Sequence, residues 1–440
     1  MITRRLLEDE DLLFLKRPDA RSATDDPAVA QRVSEMLLEL QRDGEDALRR
    51  YARDLDGWER DDFELTRAEI DGAEVDSELR EHLERSREQV EAFARAQRST
   101  LSDLEVEVSP GVIAGHRLVP VQRVGAYLPA GRFPLLASAF MTVLVPKVAG
   151  VGTVVACAPP RRDGTIHPGV VHAAAICGAD RVFAIGGVQA LAAMAFGLGG
   201  IDPVDMIVGA GNAYVAEAKR QLYGRVGIDL LAGPSEIAII ADATADPELV
   251  AADLLGQAEH GPTSPVALIT TSEDLGRAVR SEVARQLEEL ATAEIAEAAW
   301  QGHGAIIVTR DRETAATVSD ELAPEHLEVQ TAGDDAWYHA RLRNYGSIFL
   351  GARATVAFSD KGATGTNHVL PTGHAARYTG GLSVARFLKP LTYQRIDHDR
   401  AGSEIAAAVV AISAEEGLAA HGATAAKRLA RVELEGGRTR

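Results

Sequence analysis

The chain has 440 residues, 46% of them apolar and 25% charged, so it can bury more than one core, and two or three domains are expected. Its formal net charge of −19 disfavours nucleic acid and anionic membranes as partners, because both need a basic face. The two cysteines, Cys157 and Cys177, lie in apolar, Ala-rich surroundings without a C-x-x-C, which argues against a disulfide framework or a thiol redox motif.

Residues 1–11 turn acidic before any long apolar run forms, unlike a signal peptide, and no apolar stretch reaches membrane-spanning length. A cytoplasmic location is therefore expected. Residues 26 to about 100 predict helices. Val29, Val33, Met36, Leu37 and Leu40 recur at helical spacing, and a second amphipathic segment covers 79–97. Residues 113–129 predict extended chain. Short apolar strands at 153–157, 181–185 and 205–208 then alternate with helices at 170–176, 188–196 and 213–222. A second alternating region runs from 236 to about 350, with strands at 235–240, 266–270, 305–308 and 347–350 and a helix at 247–259. Such alternation implies crossover units and a mostly parallel sheet. The Ala-rich tail, 403–431, predicts helix and carries Glu415, Glu416 and His421.

Histidine is the usual proton carrier and metal ligand near neutral pH, and three separated motifs contain one. In Gln257-Ala258-Glu259-His260-Gly261-Pro262, Gln257 and His260 stand three apart on the predicted last helical turn, where both can face one cation. A solvated helix end with a dipole-favoured His is the plainer account of that fragment alone. In Ala323-Pro324-Glu325-His326-Leu327, Pro324 suits a first helical position, so Glu325 and His326 would project about 100° apart and serve different atoms of one substrate. An exposed helix start explains the pair equally well. Asp360 and His368 bound a loop rich in Gly and Thr, as a site wall or as a simple surface turn. Glu416 and His421, five apart, do not share an ideal helix face. Gly209-Ala210-Gly211-Asn212 follows a strand and opens a helix, where backbone amides can meet a phosphate. It is not the full dinucleotide fingerprint, since Tyr214 occupies the third Gly position. Ser235 follows Gly233-Pro234 but lacks the G-x-S-x-G elbow.

Taken in order, these motifs resemble the histidinol dehydrogenase family over nearly the whole chain. Further landmarks are Gly125-Ala126-Tyr127-Leu128-Pro129, Gly186-Gly187-Val188-Gln189-Ala190, Gly211-Asn212-Ala213-Tyr214-Val215, Ala232-Gly233-Pro234-Ser235-Glu236 and Asn367-His368-Val369-Leu370-Pro371-Thr372. The resemblance implies a zinc-dependent, NAD-linked enzyme that oxidises a primary alcohol twice, through an aldehyde, to a carboxylate. It implies zinc ligands at Gln257, His260, Asp360 and His421, and NAD contacts at Tyr127, Gln189 and Asn212. Glu325 and His326 become the acid–base pair. Ser235, His368 and Glu416 line the substrate pocket, together with His326 and the four ligand positions. The implied fold is α/β, with two Rossmann-like parallel-sheet domains, small helical N- and C-terminal elements, and a domain-swapped homodimer. On that plan residues 1–24 form an arm. Residues 25–126 plus 236–380 form the first domain, 127–235 the second, and 381–440 a helical dimerisation tail. Glu416 and His421 would then complete a partner's site.

Histidinol, oxidised to histidine in biosynthesis, is the default substrate. The loop from Asp360 to Asn367-His368 is one residue longer than the histidinol-oxidising pattern. Gly131-Arg132-Phe133-Pro134 and Ala376-Arg377-Tyr378-Thr379-Gly380-Gly381-Leu382 resemble a branch that oxidises sulfopropanediol to sulfolactate, and Arg132 offers the paired donors a sulfonate needs. A catalytically silent binding or scaffold protein on this fold is the reading from another class. Retention of Gln257, His260, Glu325 and His326 together argues against it.

Overall fold

The computed structural model describes residues 2–19, 27–131, 133–231 and 233–436. Its strands are β1 (Leu13–Lys16), β2 (Leu104–Ser109), β3 (Val112–Pro120), β4 (Arg123–Tyr127), β5 (Thr153–Ala158), β6 (Arg181–Ala184), β7 (Met206–Val208), β8 (Gly227–Ile228), β9 (Ile237–Ala241), β10 (Val266–Thr270), β11 (Gly304–Val308), β12 (His326–Gln330), β13 (Ser347–Leu350) and β14 (Leu388–Ile396). The helices that matter for function are α1 (Pro27–Tyr51, kinked at Gly44), α2 (Ser77–Ser99), α3 (Gly187–Phe196), α4 (Ala213–Leu222), α5 (Pro247–Ala258), α6 (Val356–Asp360), α7 (Asp399–Glu415) and α8 (Ala419–Gly436).

The chain divides into two compact units, Met1–Arg98 with Val121–Phe387, and Ser99–Pro120 with Leu388–Arg440. The first unit holds two α/β sheets. One has the order β1-β11-β10-β9-β12-β13, parallel except for β1, which pairs antiparallel with β11 at the edge. The other has the order β6-β5-β4-β7-β8 and is parallel throughout. Leaving β1 aside, both wind alike: the first strand is central, the next two lie to one side, and the last two to the other. Each therefore has a switch point where neighbouring connections diverge, between β9 and β12 and between β4 and β7.

Apolar runs such as Ile237-Ala238-Ile239-Ile240-Ala241 explain these strands, because a parallel sheet is covered on both faces. Alternate residues go to opposite cores. Ile237 and Ile239 pack with Leu254 and Trp300, while Ala238 and Ile240 pack with Leu322 and Leu327.

Some groupings differ from those the linear alternation suggested. The N-terminal arm contributes β1 to the first sheet. Helix α1 packs on α3 and α4, and the Leu65 N–H donates to the Val182 carbonyl, so residues 27–65 accompany the second sheet. Strand β4 starts that sheet at Arg123, ahead of the expected boundary at 126. The segment 381–440 is not helical throughout. Its strand β14 pairs antiparallel with β3 in the second unit's sheet, β14-β3-β2. No helix among the described residues is long and apolar enough to cross a membrane.

One buried ion pair fixes the turn after β7. Lys219 on α4 donates to the Gly209 carbonyl at 2.9 Å, and Asp229 accepts from the Gly209 N–H at 2.7 Å. The two side chains also pair with each other, at 3% and 0% exposure. Gly209 has φ of 125°, and a Cβ there would lie 2.3 Å from the Tyr127 carbonyl oxygen, so only glycine fits. Removing one partner of such a pair leaves a buried charge uncompensated. Lys219→Met is expected to lose about 3–5 kcal/mol in urea unfolding, with Lys219→Met/Asp229→Asn recovering part of it. A single-variant loss below about 1 kcal/mol, the range of an exposed pair, would remove this role.

Candidate active site

The Pro324-Glu325-His326 segment is not a helix start. Pro324 and Glu325 end a loop, and His326 begins β12, a buried parallel strand beside β9. Glu325 and His326 are only 5% and 2% exposed, which rules out the exposed-helix account of the motif. The register sets His326 opposite Ile237, placing Glu236 beside both residues. The His326 ring Nδ1 lies 3.0 Å from the Glu236 carbonyl oxygen. A carbonyl only accepts, so Nδ1 carries the proton and Nε2 keeps a bare lone pair. That Nε2 is buried without a hydrogen-bond partner among the described residues. Burial pushes the His326 pKa down to about 4, against the pull of Asp360 and the Glu236 carbonyl, so the ring is neutral at neutral pH. Glu325 Oε2 accepts the Glu236 N–H at 2.9 Å. Burial holds the Glu325 carboxyl well above its ordinary value, reinforced by the nearby Glu236 and Asp360 charges.

Asp360 ends α6 and faces two imidazoles, 3.6 Å from His260 Nε2 and 3.8 Å from His326 Nε2. His368 belongs to the same electrostatic cluster, with its pKa lowered mainly by burial and also influenced by Asp360 and His260. Its Nδ1 is buried and has no partner among the described residues, while the preceding Asn367 turns the chain by accepting the Val369 N–H at 2.6 Å. Gln257 lies in the last turn of α5, buried, and its amide nitrogen has no partner among the described residues. His260 follows just past that helix, with its side chain 30% exposed. Among the described residues, no three His, Cys, Asp or Glu side chains form a ready metal cluster. The donors that fit zinc here are one imidazole, one carboxylate and one amide, from His260, Asp360 and Gln257. The 3.6 Å His260–Asp360 separation is too long for a hydrogen bond and close to the roughly 3.4 Å edge of a zinc tetrahedron.

The same face of β12 continues as a buried polar column that the sequence reading missed. Glu328 accepts the Val356 N–H at 3.0 Å and shares the Gln330 amide with Asp253 of α5. Thr355 donates to the other Asp253 oxygen at 2.9 Å. Burial, then the Asp253 charge, raises the Glu328 pKa. The column ties together α5, which carries Gln257, and α6, which carries Asp360. Its signal was the alternation in His326-Leu327-Glu328-Val329-Gln330. That pattern usually marks a solvent face, but here it marks a buried one.

The residues implied for NAD lie at the carboxyl end of the second sheet. Tyr127 closes β4, and its hydroxyl accepts the Gly187 N–H at 3.2 Å. Gln189 lies in the first turn of α3. Asn212 caps α4, accepting the Tyr214 and Val215 N–H groups at 3.0 and 3.1 Å. Tyr127 and Gln189 are thus gathered around Gly186-Gly187, and Tyr127 and Asn212 flank the β4/β7 switch point, where α/β sheets bind ligands. Ser235 is half-buried between the Gly233 turn and Glu236. Glu416 and His421 are exposed in the second unit, at the end of α7 and on α8. Arg132 lies outside the described residues.

Glu236 was read from the sequence only as the start of a strand, yet its main chain touches both Glu325 and His326. Its buried carboxyl accepts the Gly373 N–H at 3.2 Å, and burial pushes its pKa up to about 7 despite that donor. The folded state therefore holds a proton that the unfolded chain releases near pH 4.5. This contribution is full below about 4.5 and is lost as pH rises through about 7. Glu236→Gln cannot ionise, so its thermal stability relative to the parent should climb between pH 5 and pH 8, by up to about 3 kcal/mol. Parallel pH–stability curves for the two proteins would contradict a raised Glu236 pKa.

Residues 19–429 match the family model described as histidinol dehydrogenase. The chain is 49% identical over 413 residues, 93% of its length and 81% of the relative's, to "Histidinol dehydrogenase homolog 1" of Mesorhizobium japonicum. It is 44% identical over 423 residues, 95% of its length and 96% of the relative's, to "Sulfopropanediol 3-dehydrogenase" of Ruegeria pomeroyi. The crystal structure of histidinol dehydrogenase from Elizabethkingia anophelis superposes with a TM-score of 0.88 at 32% identity, covering 94% of this chain and 95% of that one. The chain is an oxidoreductase that belongs to the histidinol dehydrogenase family.

Proposed function

We propose that the protein is a cytoplasmic, zinc-dependent, NAD-linked dehydrogenase that oxidises a primary alcohol through an aldehyde to a carboxylate. The observation that carries this reading is the neutral His326 ring, whose Nδ1 is committed to the Glu236 carbonyl and whose buried Nε2 is bare. That geometry makes Nε2 a general base for a hydroxyl proton. A silent scaffold would gain nothing from an unsatisfied buried nitrogen, which costs stability.

Gln257, His260 and Asp360 would hold the metal, with His421 of a second copy as the fourth ligand. Bound there, zinc would supply Lewis acidity toward the alcohol oxygen. His326 Nε2 is placed to accept the hydroxyl proton, and NAD, when bound, would supply the hydride acceptor. Glu325 then takes a proton from the water that adds to the aldehyde, and burial gives it a higher proton affinity than an ordinary carboxylate has. His368, Ser235 and the partner copy's Glu416 line the substrate pocket in this reading, and Tyr127, Gln189 and Asn212 hold NAD. Both parallel sheets are then Rossmann-like cores, each winding in the order that such folds use. Homodimerisation is supported by apolar side chains left exposed in the second unit, including Val106, Val108, Leu391, Ile396, Ile412 and Leu418.

Histidinol is the default substrate. The sulfonated diol is the second reading, favoured by the near-full-length relative named for that reaction and by Arg132 as a sulfonate partner. Purified protein analysed for zinc and offered NAD with each alcohol decides between them. Two NADH per molecule oxidised is expected from one substrate. Turnover of histidinol without turnover of the sulfodiol removes the second reading, and the reverse removes the first. His326→Asn should slow turnover roughly 10²–10⁴-fold with zinc near one per site, whereas His260→Ala should lose the metal. Full zinc and full activity in His260→Ala would overturn the ligand set.

A further inference from the structure

Gln189 is 1% exposed, yet only one end of its amide is satisfied. Its Nε2 donates to Asp56 Oδ2 at 2.9 Å, while its Oε1 is buried without a partner among the described residues. Asp56 ends the π-helical turn Ala52–Asp56 that follows α1, and the same Oδ2 accepts the Gly186 N–H at 3.1 Å. An ionised carboxylate accepts only, so it dictates which end of the amide faces it. The nitrogen is drawn toward Asp56 and the oxygen is turned away. A buried carbonyl oxygen left unpaired costs about 1–3 kcal/mol, so its presence in a native fold calls for a partner.

The position of that oxygen indicates the partner. A Cβ on Gly187 would lie 3.2 Å from it, so the amide lies over the bare Gly186-Gly187 turn. This turn sits at the carboxyl end of β6 and opens α3, and its second glycine donates to Tyr127. We propose that Asp56 is a positioning residue: it locks the Gln189 amide so that the site presents a fixed acceptor to an N–H or O–H donor of the dinucleotide. The inference rests on the NAD reading above and adds the polarity of the contact. A dinucleotide carries three kinds of donor: the adenine amine, the nicotinamide carboxamide amine and the ribose hydroxyls.

NADH fluorescence titration of the full-length protein, without turnover, supplies the test. Asp56→Leu removes the acceptor at similar size, frees the amide to rotate and should weaken NADH binding about tenfold, as loss of one such hydrogen bond implies. It should raise the KM for NAD by more than it lowers kcat. Gln189→Ala should weaken binding similarly, and Asp56→Leu should add nothing once Gln189 is gone, because Asp56 acts through it. The unmutated site offers a second route if either variant folds poorly. The hypoxanthine analogue lacks the adenine amine and the acetylpyridine analogue lacks the carboxamide amine. Whichever lacks the contacted donor should bind about tenfold more weakly than NAD. If both bind as NAD does, a ribose hydroxyl is the donor. Unchanged NADH binding in Asp56→Leu, or an equal loss with and without Gln189, overturns the proposal. Failure of the unmutated protein to bind NADH at all instead removes the NAD reading itself, and the proposal with it.

Discussion

The pairing of β12 with β9 is the constraint on which the rest of the site depends. With His326 opposite Ile237, the main chain of Glu236 meets both His326 and Glu325, its carbonyl at the imidazole and its N–H at the Glu325 carboxyl. Backbone groups held in a sheet ladder cannot rotate away. The tautomer of His326 and the aim of Glu325 are therefore set by strand register rather than by side-chain preference. A one-residue slip would send His326 to the opposite face, into the apolar core around Ala238, Ile240 and Leu322. The polar column of Glu328, Gln330 and Asp253 extends the same logic, since it holds α5 and α6 to β12 and so orders Gln257 and Asp360.

The two sheets of the first unit wind alike but expose opposite ends to chemistry. In the second sheet, Tyr127, Gln189 and Asn212 follow the carboxyl ends of strands, the usual position for a ligand at a switch point. In the first sheet, His326 opens its strand, and Gln257 and Asp360 sit where α5 and α6 have run back toward the amino ends. This second position departs from the general rule. It works because helix C-termini and strand starts converge there around buried polar side chains.

Much of the fold was legible in the chain. The apolar runs at 266–270 and 347–350 became strands with those bounds, and the helix at 213–222 formed as read, because composition, length and flanking turns agreed. Strand β12 was not legible. Its Pro-Glu-His opening looks like a helix start, and its alternation of polar and apolar residues looks like a solvent-facing strand. Residues 27–65 pack on the second sheet, which the sequence does not reveal, because helical periodicity shows which face is apolar and not which core it meets. The site was legible as residue types. Gln257, His260, Asp360 and His368 were named from short motifs, but Glu236, Asp253 and Asp56 carried no local signal. Each acts through a partner 77 to 133 positions away, in the pairs Asp253–Gln330, Glu236–Glu325 and Asp56–Gln189.

By itself, the sequence determined the α/β alternation, the order of the motifs and hence the family, because these depend on local hydrophobic periodicity and on residue identity. Tertiary structure alone decided which imidazole nitrogen is free, which amide end is left unpaired and which carboxyls are held above their ordinary pKa. Those properties depend on desolvation and on hydrogen bonds between distant segments, and neither exists until the sheets have formed.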